Sequence, residues 1–304
     1  MLIVVALGGN ALLQRGEPLT AAVQQQNARR AAHALALLAE RHQLVITHGN
    51  GPQIGLLALQ QAASPETPQF PLDVLGAQTQ GQIGYMLEQA LREALLPHRY
   101  LATLLTTVEV DADDPSFHTP TKFIGPRYTA QEAQALAAQH GWVFREDGAH
   151  WRRVVPSPQP KRIVQLEVIQ KLVAQGVIVI CAGGGGVPVV RCGAALVGVE
   201  AVIDKDLATS LLARALGAEL LVIATEADGV YLHYGKPNQT RLTRVTPAEL
   251  RAHLTHFPDG SMGPKVRAAI EFVEHTGRPA VIGALHELAR AVRGEAGTWV
   301  VPAA

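Results

Sequence analysis

Cysteine is scarce. The 304-residue chain has two, Cys181 and Cys192, too few for a disulfide framework, and the scarcity suggests a reducing compartment. A bridge between the two is the less favoured arrangement. An excess of either charge is also missing. The 26 basic and 26 acidic side chains cancel, and no long basic run occurs, so no general attraction to nucleic acid is expected. A long unbroken apolar run is missing too. Leu172 to Val190 holds 19 residues without a charge, but five glycines and a proline interrupt it. A buried helix end, a strand and a loop fit it better than a membrane span. The apolar start, MLIVVALGGNALLQR, lacks a basic leader and is cut by glycine at residue 8, so it does not read as a secretory signal. A soluble cytoplasmic protein with no membrane or nucleic-acid partner is expected. There is no G-x-x-x-x-G-K-[ST] loop, no Ser-His-Asp or Cys-His pattern, no repeat of fixed period and no low-complexity tract.

Lysine is the last shortage, with six against 20 arginines. Arginine supplies most of the basic surface. Each lysine (Lys122, Lys161, Lys171, Lys205, Lys236, Lys265) is therefore either an ordinary solvated residue or a candidate for work that needs a compact point charge.

What the chain does have is apolar residues, 48% of it, enough for one large domain or two lobes. Short β-branched runs alternate with amphipathic ones. Strands are predicted over Leu2–Leu7, Leu44–Thr47, Tyr100–Val110, Val177–Cys181, Leu220–Ala224 and Pro279–Ile282. Helices are predicted over Thr20–Arg41, Asp73–Leu96, Thr129–Gln139, Lys161–Gln175, Asp204–Leu216, Pro247–Leu254 and Met262–Thr276. Such alternation implies an α/β fold with a mostly parallel sheet and helices on both faces. The stretch from Asp111 to Pro160 differs, with clustered prolines and charges, two tryptophans and one convincing helix. It reads as a small subdomain projecting from the sheet, either a lid or an ordered excursion without function.

Ligands in such sheets sit beyond the carboxyl ends of the strands. Glycine turns fall at three of those ends: LGGN (Gly8, Gly9, Asn10), HGNG (Gly49, Asn50, Gly51) and AGGGG (Gly183 to Gly186). Together they offer backbone N–H groups around an anion, helped by the helix starts that follow. Gly49, Gly51 and Gly55, with Asp73 beyond them, imitate a dinucleotide fingerprint. Pro52 inside the turn argues against it, as does Asp73, which looks like a helix N-cap rather than a strand end. Lys205, between Asp204 and Asp206, and Lys265, after a cap at Asp259 or Ser261 and beside Pro264, stand at two helix starts. Cations there oppose the helix dipole, which motivates a bound anion. Lys122 lies between prolines in the projecting segment. The pair His253 and His256 has helical spacing but no acidic or cysteine partner nearby, and reads as exposed histidines. Two lysines at helix starts plus three glycine turns fit a polyphosphate. Phosphoryl transfer asks mainly for positioning and charge neutralisation, and a carboxylate-type acceptor arrives ionised, so no general base is needed.

The stretches VVALGGNALL, THGNGPQIG, PLD with TQGQIGYML, TKFIGP, RRVVPSPQP, GGGGVPVV, GVEAVIDKDLA and GSMGPK, in this order and nearly end to end, resemble the carbamate kinases of the amino acid kinase superfamily. The resemblance implies a three-layer αβα sandwich around an eight-stranded, mainly parallel sheet with a small protruding subdomain. It implies one domain over residues 1–304, with an acceptor lobe of about 1–200 carrying the subdomain (about 111–160), and a nucleotide lobe of about 201–304. It implies a homodimer that passes phosphate between carbamoyl phosphate and ADP, giving ATP and carbamate, with Mg2+ on the nucleotide phosphates and no metal ligand from the protein. By the same resemblance, Gly8, Gly9, Asn10, Gly49, Asn50 and Gly51, with Gly184 and Gly185, cradle the acceptor and the phosphate in flight. Lys205 and Lys265 hold the nucleotide phosphates, Asp206 positions both lysines, and Lys122 reaches over the carbamoyl group. Ala227, Asp228, Tyr234 and Met262 line the nucleotide pocket. Glu226 and Gln78 depart from the usual pattern. The alternatives are a relative acting on another small carboxylate, and a silent nucleotide-binding regulator.

Overall fold

The computed structural model describes residues 1–9, 12, 13, 16–64, 66, 68–258 and 260–303. The chain begins with β1 (Leu2–Leu7), α1 (Ala21–Ala39), β2 (Gln43–His48), α2 (Gly51–Ala62), α3 (Leu72–Ala94), β3 (Leu101–Thr103) and β4 (Thr107–Val110). The projecting segment follows, with β5 (Lys122–Tyr128), α4 (Ala130–His140), β6 (Val143–Asp147) and β7 (His150–Val155). The chain returns through β8 (Pro160–Ile163), α5 (Leu166–Ala174), β9 (Ile178–Ile180), β10 (Val187–Cys192) and β11 (Ala195–Gly198). It ends with α6 (Lys205–Ala215), β12 (Leu220–Thr225), β13 (Val230–Leu232), β14 (Thr240–Leu242), β15 (Arg244–Val245), α7 (Pro247–Ala252), α8 (Met262–Thr276), β16 (Ala280–Ala284), α9 (Leu288–Val292) and β17 (Thr298–Val300).

The central strands are apolar on both faces. In β1, Val4 and Ala6 enter one buried cluster with α6 and α8 residues such as Leu212 and Phe272. Ile3, Val5 and Leu7 enter the other, with Leu35 of α1, Leu87 of α3 and Leu288 of α9. A strand buried on both faces needs helices on both sides, and this period-two division makes the three layers. The sheet has eight strands in the order β15-β17-β16-β12-β1-β2-β9-β3. Every neighbouring pair is parallel except β16 with β17. A second sheet, β11-β10-β4-β8, lies beside it.

Several predicted bounds change. The run Tyr100–Val110 is two strands in different sheets. The chain leaves the large sheet after Leu104 bonds Ile180 O and joins the second where Thr106 O accepts from Val187 N. The run predicted as a helix from Lys161 begins as β8, paired with β4, and turns helical at Leu166. Residues 51–62 form a helix, α2, rather than a glycine turn alone. Pro71, not Asp73, holds the N-cap position of α3, and Asp73 sits in its first turn. Both cysteines are free, and burial pushes the Cys181 thiol up to about 12. No helix among the described residues is long and apolar enough to cross a membrane.

The projecting segment is a three-stranded sheet, β5-β7-β6, with α4 beside it. A reciprocal Thr129–Glu132 capping box starts α4, satisfying two donors that a helix start leaves free. Ile124 and Val155 anchor the sheet in an apolar cluster with Ile54 and Ala58 of α2, Leu72 and Leu75 of α3, and Val202. Gly55 of α2 and Gly125 of β5 meet backbone to backbone: a Cβ on Gly55 would lie 2.0 Å from Gly125 Cα.

Candidate active site

Strands β12, β1, β2 and β9 are consecutive and parallel, so the loops after them open on one edge. The glycine turns meet there. Gly8 N donates to Ala224 O over 3.1 Å, and Gly49 N to Leu7 O over 3.0 Å. A Cβ on Gly49 would stand 3.0 Å from Gly9 N. The Asn50 amide donates to Thr79 Oγ1 over 2.8 Å, and Thr79 donates to Gly76 O over 2.7 Å, which fixes the second turn to α3. Asn10 lies outside the described residues.

The four-glycine run is wrapped by protein. A Cβ on Gly183 would strike the His48 ring at 2.4 Å, and one on Gly184 the Asn50 amide at 2.2 Å. One on Gly185 would meet Ile203 O at 2.6 Å. Gly184 and Gly185 also have φ of +64° and +91°, a region that side chains disfavour. The run therefore serves close approach: it lets the β9 loop touch the β2 loop on one side and the start of α6 on the other.

Helix α6 begins where that contact ends. Asp204 is its N-cap, with Oδ1 accepting from Asp206 N at 2.9 Å and Leu207 N at 3.3 Å, as the free donors of a helix start require. Lys205 is the first residue, and its ammonium donates to Asp206 Oδ1. Lys265, from the first turn of α8, donates to Asp206 Oδ2 and to Ser261 O, both over 3.2 Å. One buried carboxylate thus holds two ammonium groups. Thr209 Oγ1 lies 2.6 Å from Thr47 Oγ1 and ties α6 to β2. Ser261 occupies the N-cap position of α8 but makes no capping bond with its side chain, and Asp259 lies outside the described residues.

Burial would raise the Asp206 carboxyl, but the two lysines overcome that and hold it well below the usual carboxylate range. Burial also pushes the Lys205 ammonium down, with Lys265 adding to the effect and Asp206 opposing it. At Lys265 burial again opposes the charge, and Asp206 outweighs it, so the group is raised. The rim is therefore a desolvated, net positive patch at a helix N-terminus, the arrangement that binds phosphate. Burial lowers His48, behind the glycine run, to about 4, which leaves it neutral near pH 7.

Lys122 reaches this rim from the projecting subdomain. It is the first residue of β5, and its ammonium donates to Asp204 Oδ2. The proposed nucleotide-side residues are more scattered. Ala227 and Asp228 follow β12. Asp228 accepts from Tyr231 OH at 2.8 Å, and its backbone carbonyl accepts from Arg241 at 2.8 Å. Tyr234 is exposed and packs edge-on to Tyr231 at 5.7 Å. Met262 starts α8 and packs on the core. No ion pair or hydrogen bond among the described residues joins these four to the lysines. Glu226 and Gln78 are both exposed. His253 and His256 face each other at 5.4 Å and His233 lies 4.7 Å from His256, yet no group of three His, Cys, Asp or Glu among the described residues is spaced to hold a metal ion.

The sequence reading missed two features of the site. Asp204 stands in the sequence only as the neighbour of Lys205, with nothing to mark it as the partner of Lys122, 82 residues away. The chain Gln80–Thr106–Ala182 was also missed: Gln80 exchanges two hydrogen bonds with the Thr106 backbone, and Thr106 Oγ1 accepts from Ala182 N. No local pattern marks either.

Comparison with known proteins shows the family of the chain. A family model described as the amino acid kinase family matches residues 1–284. A carbamate kinase of Rhizobium meliloti is 55% identical over 303 residues, covering 99% of this chain and 93% of that protein. One from Thermococcus kodakarensis is 48% identical over 310 aligned positions, covering 98% of each. The solved carbamate kinase of Giardia lamblia bound to AMP-PNP superposes with a TM-score of 0.91 at 42% identity, covering 99% of this chain and 98% of that one.

Proposed function

Because this chain belongs to the amino acid kinase family, we infer that its lysine-lined rim moves a phosphoryl group between carbamoyl phosphate and ADP, giving ATP and carbamate. The activity is that of a carbamate kinase; the residue roles below are our reading. A β-phosphate oxygen of ADP attacks phosphorus, the bond from phosphorus to the carbamoyl oxygen breaks, and carbamate leaves as an anion. The reverse reaction uses that anion as the nucleophile. Neither direction needs a base, in keeping with a rim whose histidine is buried and neutral.

The observation that carries this reading is the Lys205–Asp206–Lys265 triad at the head of α6. Two ammonium groups fixed by one buried carboxylate, beside a helix start, are preorganised for the charge of a phosphoryl group in transit. We assign Lys205 and Lys265 to the nucleotide phosphates and Asp206 to their positioning. The loops at Gly8 and Gly9, at Gly49, Asn50 and Gly51, and at Gly184 and Gly185 cradle the acceptor and phosphate. Asn10 is assigned there by sequence only. Lys122 takes the carbamoyl side. Ala227, Asp228, Tyr234 and Met262 are assigned to the nucleotide pocket by sequence; the relative solved with AMP-PNP supports nucleotide binding as such.

Magnesium fits as a passenger on the nucleotide. The carboxylates nearest the phosphate site, Asp204 and Asp206, are engaged by lysines, which suits an ion that keeps its waters and is held largely by phosphate oxygens. When bound it neutralises charge on those oxygens. Further parts of the proposal are a homodimer, a cytoplasmic location, and an acceptor lobe of about 1–200 facing a nucleotide lobe of about 201–304.

The test is direct. Pure protein given carbamoyl phosphate, magnesium and ADP forms ATP; a yield no greater than that of a Lys205→Ala control overturns the assignment. A panel of small acids with ATP separates the remaining readings. Faster turnover with another acid favours the small-carboxylate relative, and tight ADP binding without turnover favours a regulator.

A further inference from the structure

We propose that Asp204 is a positioning residue for Lys122, its two oxygens joining the start of α6 to the reactive lysine of the projecting subdomain. The inference rests on the carbamate kinase reading. Oδ1 is spent on the helix, accepting from Asp206 N and Leu207 N. Oδ2 is spent on Lys122. The same turn of chain therefore fixes all three lysines of the rim, Lys205 and Lys265 through Asp206 and Lys122 through Asp204.

The need for such a tether follows from how the subdomain is seated. Ile124, Val155 and the Gly55–Gly125 contact hold the backbone of β5 against α2. Val202 N donates to Pro156 O over 3.0 Å, which brings the segment leading into Asp204 against the end of β7. These contacts place the Lys122 backbone but leave four flexible carbons between it and the ammonium. A lysine side chain has many rotamers, so its charge is otherwise spread over a wide volume. The carboxylate at the N-cap of α6 fixes it at the rim. The ammonium has three donors, and one bond to Asp204 leaves two for a substrate oxyanion. Lys122 can thus serve the substrate without leaving its tether.

Asparagine separates the two duties of Asp204. Its carbonyl caps a helix as well as aspartate does, but it lacks the charge that holds an ammonium strongly. Asp204→Asn is expected to lower kcat for ATP formation roughly 10- to 100-fold, by loss of preorganised charge, while ADP affinity stays within about twofold. In a Lys122→Ala background the same change is expected to cost less than about twofold, because residues acting through one contact are not additive. Equal losses in kcat and ADP affinity, or losses that multiply in the double variant, would overturn the proposal. A second measurement does not depend on turnover. Acetylation of Lys122, followed by mass spectrometry on the ligand-free protein, is expected to speed up severalfold in Asp204→Asn at an unchanged melting temperature. An unchanged labelling rate would overturn the tether even if the protein makes no ATP; failure of ATP formation in the unaltered protein would instead count against the kinase reading.

Discussion

Lys205 and Lys265 stand on helices rooted in the central sheet and share a carboxylate that is 4% exposed, whereas Lys122 stands on a projecting strand with 34% of its side chain exposed. The first region is built without slack. Its charges are desolvated, so each is costly to leave unpaired and strong toward an anion. The second has water to fall back on, and its pairing contributes aim more than stability. Substitutions on the sheet side should therefore disturb folding and chemistry together, while those on the subdomain side should separate them. Melting experiments, taken in order of expected loss, can break or sharpen that contrast.

The largest loss is expected for Asp206→Ala. It strands two buried ammonium groups, and breaking a buried ion pair this way costs about 3–5 kcal/mol. The same carboxylate adds an acid-sensitive component in the unaltered protein. Its folded value lies below the ordinary 3.8, so its contribution is full above that pH and fades as pH falls further, a component the variant should lack. A variant within about 1 kcal/mol of the original, less than a tenfold change in the folding constant, would mean that the triad is solvated and the contrast false.

Next is the pH response of His48. Burial holds it at about 4 against an ordinary 6.5. The unfolded chain takes up the proton first, so stability is complete above pH 6.5, falls on acidification and has lost its full share near pH 4. That share is about 3 kcal/mol by linkage. Denaturant titrations at pH 7 and pH 4.5 should show most of the drop, and His48→Gln should flatten it. An unflattened drop would assign the loss to carboxylates instead.

How much of this was legible in the sequence depends on whether the cause was local. β1 spans the run its apolar residues mark, and α8 starts where Pro264 signals a first turn. Helix α2 was missed because Gly49, Gly51 and Gly55 dominate its start, although Pro52 in the first turn was the available sign. The two strands within Tyr100–Val110 could not be separated, since the run between them has no breaker and the change of sheet is tertiary. The glycine run reads in sequence as an anion-facing turn; its close approach to His48, Asn50 and Ile203 came only from folding. The lysines were singled out by their rarity and their helix starts. Their division between two aspartates was invisible, because Lys122 meets Asp204 across 82 positions.

A smaller loss is expected for Gly184→Ala, which tests whether the glycine turns share the tightness of the triad. Its φ of +64° strains any side chain, and the new Cβ would sit 2.2 Å from the Asn50 amide, so backbone strain alone of about 1–3 kcal/mol is joined by displacement of Asn50 from Thr79. Gly235→Ala is the control, with a similar φ of +75° but nothing within 4 Å. Equal losses at the two sites would reduce the run to a matter of φ alone.

The smallest stability effect should belong to Lys122→Ala, and it bears most on the contrast. An ion pair with one partner this exposed is worth about 1 kcal/mol or less, and the apolar seat of Ile124 and Val155 is untouched, so the melting temperature should barely move. Turnover should nonetheless fall on the order of 10²-fold, as for other groups preorganised toward transferring charge, with ADP affinity unchanged. Calorimetric ADP titration beside the ATP-formation assay reads both quantities. A variant that loses ADP affinity in step with kcat would place Lys122 among the nucleotide-holding groups of the sheet side, and the two regions would then differ in exposure but not in task.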